Sequence, residues 1–322
     1  MELLYLSKKD VEEINLSMEE IIDAVEKAFI SKSEGNFEMP PKPGVHPGKD
    51  AFIHAMPAYL PEIKYAGLKW VSGFPENNKR GLPYISGLFI LNDTETGFPV
   101  SVMDCTWITG KRTGAATAVA AKFLARMDSE KVGILGCGVQ GRTNLEALNI
   151  VLKNIKKVYA YDINRENLSK YIEDMRGIYK FDIIPVDSPE KAVIGMDVVV
   201  TAGPILKTPS PTIDKEWFEK GCFASAIDFD SYWKPDAMKL ADKFVTDDIK
   251  QLNYYKSIGY FKNLPEKIID LGDIVAGKVN GREEPYERTM TMNLGLAIED
   301  VATASLIYRK AVELNKGVKL PL

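Results

Sequence analysis

The stretch Val132-Gly-Ile-Leu-Gly-Cys-Gly-Val-Gln-Gly-Arg142 constrains this chain more than any other. A short apolar run closes at Gly136, and Gly136, Gly138 and Gly141 follow in G-x-G-x-x-G spacing. At a strand–turn–helix junction the first glycine makes the tight turn and the second admits a diphosphate to the backbone. The third packs helix on strand. Leu145 to Leu152 reads as the helix, whose N-terminal N–H groups would face the diphosphate. The next apolar run, Val158 to Tyr161, ends on Asp162. That is about 20 residues beyond the last glycine, where an acid binds ribose hydroxyls. The spacing predicts a Rossmann dinucleotide-binding unit, with Gly136, Gly138, Val139, Gln140, Gly141 and Thr143 at the diphosphate turn. Asp162 would accept from both adenosine hydroxyls and repel a 2′-phosphate, which favours NAD(H). Arg165, close by, could accept that phosphate and leaves NADP(H) open.

Beyond this turn, strands and helices alternate. Strands are expected over Asp182 to Val186, Asp197 to Thr201 and Cys222 to Ile227, with helices over Arg165 to Arg176 and from Ser188-Pro189. Alternation of this kind implies a parallel sheet covered on both faces. Thr201-Ala202-Gly203 ends one of these strands and should border the nicotinamide ribose. The N-terminal third reads differently. Ser17-Met-Glu-Glu20 is a capping box before a one-faced apolar helix. Met39 to Gly48 is too proline-rich for helix or central strand. Short strands are expected over 51–56, 65–71, 84–91 and 99–103, the last two joined by a hairpin turn at Asn92 to Gly97. This is an antiparallel, α+β region. Thr113 to Leu124 is a small-residue helix leading into the nucleotide strand, and Leu294 to Tyr308 is a mostly apolar C-terminal helix.

The chain of 322 residues, 45% hydrophobic, is long enough for one or two domains. A net charge of −4 gives no electrostatic footprint for nucleic acid. No run of about 20 apolar residues could span a bilayer, and the N-terminus has neither basic start nor signal-type core. Three scattered cysteines and two histidines give neither a disulfide framework nor metal-ligand spacing. A cytoplasmic protein without a metal is the expectation.

Seven short motifs, in this order and spacing, carry a further reading. They are Met39-Pro-Pro-Lys42, Ala55-Met-Pro-Ala58, Ala66-Gly-Leu-Lys-Trp70, Asn92-Asp-Thr-Glu-Thr-Gly-Phe-Pro99, Arg112-Thr-Gly-Ala115, Gly136-Cys-Gly-Val-Gln140 and Gly295-Leu-Ala-Ile-Glu-Asp300. Together they resemble the ornithine cyclodeaminase / mu-crystallin family over nearly the whole chain, and its archaeal-type alanine dehydrogenases most. The resemblance implies a substrate-binding and dimerisation domain over 1–112 and 294–322, completed by the C-terminal helix, and an NAD-binding domain over 113–293. It also implies a homodimer, bound NAD(P), and chemistry at the α-carbon of a small amino or imino acid.

The same resemblance assigns roles. Lys69 would contact substrate and assist proton transfer; a snorkelling surface lysine is its other reading. Arg112 would grip the substrate carboxylate with its guanidinium fork, or else cap a helix or pair with an acid. Lys42 would be a second cation there, or a solvated loop residue. Arg112, Thr113, Ala202 and Asn293 would join the cofactor set. Asp230 takes the place of the family's catalytic aspartate, two residues past a glycine that is here Asp228. Asp228 could bind a cationic substrate group or simply bond loop amides. His54 stands where cyclising members carry glutamate and alanine dehydrogenases arginine, and is a candidate substrate contact. An NAD(H)-dependent amino-acid dehydrogenase or imine reductase is the leading expectation. A cyclodeaminase using bound NAD+ and a non-catalytic nucleotide-binding subunit are the alternatives.

Overall fold

The structure is a computed structural model and describes residues 2–261 and 263–322. The chain divides into two compact units, 1–112 with 295–322, and 113–294.

The first unit opens with β1 (Glu2–Leu6), α1 (Lys8–Ile14) and α2 (Met18–Glu34). The Ser17–Glu20 capping box forms, Glu20 N–H donating to Ser17 Oγ and Ser17 N–H to Glu20. Then follow β2 (Gly44–Gly48), β3 (Ala51–Leu60), β4 (Tyr65–Gly73), β5 (Ile85–Asp93) and β6 (Pro99–Asp104). The proline-rich stretch supplies β2, and the strand takes the sheet edge, where a missing N–H does least harm. α3 (Thr106–Leu124) starts earlier than expected, because Asp104 accepts the Thr106 N–H at 2.9 Å and begins the helix before Thr113.

The second unit contains β7 (Lys131–Leu135), α4 (Val139–Val151), β8 (Lys157–Tyr161), α5 (Arg165–Ile178) and β9 (Asp182–Pro185). It continues through β10 (Val198–Thr201), β11 (Phe223–Ala226), α6 (Pro235–Met238), β12 (Lys243–Thr246) and α7 (Ile249–Ser257). β13 (Ile269–Asp270), α8 (Leu271–Val275) and β14 (Thr289–Met292) complete it. The helix expected from Ser188-Pro189 is a single 3-10 turn, Glu190–Ala192, because Gly195 at φ +74° turns the chain back toward β10. The chain then returns to the first unit as α9 (Ala297–Glu313) and β15 (Val318–Pro321).

Among the described residues the first unit's sheet runs β15-β1-β6-β5-β4-β3-β2. It is not wholly antiparallel, since β1 pairs with β6 in parallel. Registry across β3 to β6 sets the row Met56–Lys69–Phe89–Met103, which is fully buried. The alternate row is Ala55–Trp70–Leu88–Asp104, with Trp70 48% and Leu88 46% exposed. α9 packs against β3, β4 and α2, covering the buried face.

The second unit's sheet runs β13-β12-β14-β11-β10-β7-β8-β9, every pair parallel. It is a Rossmann-type sheet, and its central strands are buried on both faces, as crossover helices require. The strand order reverses between β7 and β10, and the glycine turn lies at the carboxyl end of β7, on the edge where such sheets bind ligands.

Gly133 in β7 has no room for a side chain, since a Cβ would lie 1.8 Å from the Ala192 carbonyl oxygen. Gly133→Ala should therefore cost about 1–3 kcal/mol through overpacking, read as a lower denaturant midpoint at unchanged slope. An unchanged midpoint would mean that the 3-10 turn yields freely.

Candidate functional site

In the first unit, strand alternation sends Lys69 to the helix-covered face, where it is 0% exposed. Its Nζ lies 2.8 Å from Asp300 Oδ1 and 2.7 Å from Oδ2. Arg112 Nε donates to Asp300 Oδ1 at 3.0 Å, and Nη1 to Glu299 Oε2 at 2.9 Å. The guanidinium lies against Gly295, whose Cβ would sit 2.5 Å from Nη1 and whose φ is +79°. Lys42 Nζ donates to the Gly295 carbonyl at 3.2 Å. Lys69 and Arg112 thus meet two carboxylates, with Lys42 on the neighbouring Gly295 carbonyl, and all five side chains are buried. Burial pushes the Lys69 ammonium down, Arg112 adds to the fall, and Asp300 opposes it.

His54 is half-buried beside this group. Its ring stacks on Phe52 at 4.3 Å, and the space it needs over β2 exists because residue 44 is glycine. Burial pushes its pKa down to about 3, with Lys42, His46 and Lys69 adding to the fall. It is a neutral ring rather than the charge that either glutamate or arginine would bring.

In the second unit the glycine turn has the features a dinucleotide needs. Gly136 has φ +104°, and a Cβ there would meet the Ala202 carbonyl at 2.4 Å. A Cβ on Gly141 would meet the Gly136 carbonyl at 2.2 Å, whereas nothing lies within 4 Å of one on Gly138. The outer two glycines serve packing, and the middle one leaves open space at the N-terminus of α4. Val139 and Gln140 begin that helix; Thr143 Oγ1 turns back to the Val139 carbonyl at 3.1 Å. Asp162 Oδ2 accepts the Cys137 N–H and Oδ1 the Asn164 N–H, both at 2.8 Å, which fixes the carboxylate beside the turn. Arg165 is exposed in the first turn of α5. Asn293 is buried, accepts from Thr291 Oγ1 at 2.7 Å, and has an amide nitrogen without a hydrogen-bond partner among the described residues. An orphaned donor together with the open glycine cradle fits a bound dinucleotide.

One expectation needs correction. Asp228 is 1% exposed and turns inward. Its Oδ1 accepts from Thr201 Oγ1 at 2.6 Å and its Oδ2 from the Gly203 N–H at 3.0 Å. It is therefore a structural carboxylate, the loop-bonding alternative rather than the substrate contact. The Thr201 hydroxyl also accepts from Trp233 Nε1 at 3.3 Å and is fully buried, at the end of β10. Ala202 beside it is half-buried, and Thr113 is buried at the second unit's start. Asp230 is half-buried, and burial raises its pKa. Phe229 between the two acids has φ +64°, a costly left-handed conformation for a bulky residue. Sequence reasoning passed over Glu299 and Asp300. Two adjacent acids opening an otherwise apolar helix were the available signal.

Burial raises the Asp228 pKa from 3.8 to about 7, against the hydrogen bonds from Thr201 and Gly203 that lower it. An acid with a raised folded pKa stabilises the fold most when protonated, below about 3.8, and loses that contribution as pH rises through about 7. Asp228→Asn cannot titrate. The stability of the wild type relative to this variant should thus fall between these pH values, by on the order of 4 kcal/mol. Denaturant unfolding of both proteins across the range tests this, and a pH-independent difference would defeat it.

Comparison with known proteins bears on both units. The ornithine cyclodeaminase/mu-crystallin family matches residues 1–315. An alanine dehydrogenase of Archaeoglobus fulgidus is 38% identical, over 99% of this chain and 98% of its own. Among solved structures, an archaeal alanine dehydrogenase dimer with bound NAD superposes with a TM-score of 0.89 at 36% identity, covering all of both chains. The Thermococcus litoralis Δ1-pyrroline-2-carboxylate reductase, in complex with NADH and L-proline, gives 0.89 at 34% identity, over 99% of this chain and 100% of its own. The chain belongs to the ornithine cyclodeaminase/mu-crystallin family.

Proposed function

We propose that the protein is an NAD(H)-dependent oxidoreductase acting at the α-carbon of a small amino or imino acid, as an amino-acid dehydrogenase or imine reductase. The observation that carries this reading is the buried group of Lys42, Lys69 and Arg112 against Glu299 and Asp300. A buried guanidinium fork with two lysine ammonium groups beside it is the chemistry that recognises a carboxylate, and a substrate carboxylate is the anion it would meet. The relatives support the chemistry: the reductase of known structure was solved with NADH and a cyclic amino acid.

NAD(H), when bound, supplies or accepts the hydride. Gly136, Gly138, Val139, Gln140 and Gly141 would hold its diphosphate, Asp162 its adenosine ribose, and Asn293 its amide end. Asp162 favours NAD(H) over the 2′-phosphorylated form. Arg112 and Lys42 would hold the substrate carboxylate. Lys69, its ammonium destabilised by burial, would exchange protons with the substrate nitrogen. Asp230, with its pKa raised by burial, would serve as the acid–base partner for imine formation or hydrolysis.

The test is an NADH-coupled screen of 2-oxo acids with ammonia or methylamine, cyclic imines and diamino acids. A member of the panel should consume NADH stoichiometrically, which also separates this reading from a cyclodeaminase. Arg112→Lys should lower kcat/KM about 10- to 100-fold, because lysine cannot reproduce the fork. No NADH turnover with any substrate, or an unimpaired variant, would overturn the proposal.

A homodimer is part of the same proposal. The sheet face opposite α9 carries Trp70, Leu88, Leu68, Ile90 and Val102 in adjoining rows. Apolar patches of this kind mark interfaces. Trp70→Glu should convert a dimer to monomer in light scattering, and a monomeric wild type would remove the reading.

A further inference from the structure

The segment Asp228-Phe-Asp-Ser-Tyr-Trp233 buckles over the loop that follows β10. Asp228 bonds Thr201 and Gly203, and Trp233 bonds Thr201. Ser231 Oγ donates to the Pro204 carbonyl at 2.8 Å and accepts the Leu206 N–H at 3.4 Å. The Tyr232 carbonyl accepts from the Thr212 and Ile213 N–H groups at 3.0 and 2.8 Å. Phe229 is held by ring contacts to Phe261 and Tyr255 at 4.9 and 5.4 Å. The backbone of Tyr232 and the residues on both sides of it are therefore fixed.

The Tyr232 hydroxyl is tied to nothing. It makes no hydrogen bond to any described residue, although the side chain is only half-exposed. The ring lies on Gly203, where a Cβ would sit 2.8 Å from Cε2 and 3.1 Å from Asp228 Oδ2. Burial pushes the phenol up, and Asp228, Tyr161, Asp162 and Cys137 are near enough to add to the rise. A neutral phenol is a hydrogen-bond donor. Its neighbours span the carboxyl ends of β8, β10 and β11 and the glycine turn after β7, which is the edge where parallel sheets of this kind bind ligands.

We propose that Tyr232 is a cofactor-contacting residue whose hydroxyl donates a hydrogen bond to the ADP-ribose part of the dinucleotide, at the loop after β10. A hydroxyl without a partner among the described residues, on a half-buried side chain pinned at a ligand edge by seven hydrogen bonds from its own segment, is placed for a ligand acceptor rather than for packing. The proposal rests on the dinucleotide reading above. Tyr232→Phe keeps the ring on Gly203 and removes only the donor.

The experiment titrates NADH and ADP-ribose into wild type and Tyr232→Phe, and measures the melting temperature of each without ligand. The variant should bind both ligands about 3- to 10-fold more weakly, the size of one hydrogen bond, and its ligand-free melting temperature should not change. Unchanged ADP-ribose affinity overturns the proposal. A marked fall in the ligand-free melting temperature also overturns it, since the hydroxyl would then serve the protein itself. If the wild type binds neither NADH nor ADP-ribose, the dinucleotide reading is what has failed.

Discussion

An ammonium group cannot be buried between a sheet and a helix at tolerable cost unless a carboxylate meets it. Lys69 is such a group, and Asp300 meets it from a segment more than 200 residues away in sequence. The same carboxylate takes Arg112 Nε, and Glu299 takes Nη1. This arrangement requires the chain to leave the first unit after Arg112 and return at Gly295, and it does. The two acids lie in the first turn of α9, where the helix N-terminus favours negative charge. Gly295 just before them has no side chain, so the guanidinium can lie flat against the backbone. Removing Asp300 would leave the buried Lys69 ammonium without its carboxylate, a loss of several kcal/mol, so the discontinuity of the first unit is enforced by charge as well as by the apolar face of α9.

The two units carry opposite chemical characters. The first fixes positive charge: its lysines and arginine are held by hydrogen bonds to acids or carbonyls, and its one interior histidine is kept neutral. The second holds acids whose pKa values burial has raised, Asp228 to about 7 and Asp230 in the same direction. Fixed cations recognise a carboxylate, whereas acids shifted toward neutral pH exchange protons. Asp228 and Asp230 divide further. Asp228 is bonded to the loop after β10, and Asp230 is half-buried.

Much of this was legible in the sequence, and the reasons differ by element. The glycine turn could be read because each glycine answers a distinct steric demand, and the Cβ clashes at Gly136 and Gly141 bear that out. The Ser17 capping box and the β5–β6 hairpin were equally local. β14 was not legible. Thr289–Met292 is buried on both faces, so it lacks alternation, and four residues give no periodicity to detect. β15 is a short edge strand and β1 its neighbour, and the pairing of both is set by segments distant in sequence. The site was half legible: Lys69, Arg112 and Lys42 stood out by motif, whereas Glu299 and Asp300 lay in the last of the motifs without a role. Only the fold shows that they are buried.

The turn at 227–230 shows what replacing a glycine can require. Asp228 does not take the left-handed conformation, and Phe229 beside it does, with φ +64°. That conformation costs about 1–2 kcal/mol for a bulky residue. The cost is met by packing: Phe229 is nearly fully buried and its ring contacts Tyr255, Tyr260 and Phe261. Asp228 itself is turned into an anchor by Thr201 and the Gly203 amide, and Trp233 locks Thr201 in turn. The result is a turn held on both sides of Asp230, by aromatic packing before it and by the Ser231 hydrogen bonds after it. An acid–base group works only within a narrow range of positions, and support of this kind is what confines it. Asp228 stands where the resemblance expects a glycine, and the turn around Asp230 is held all the same.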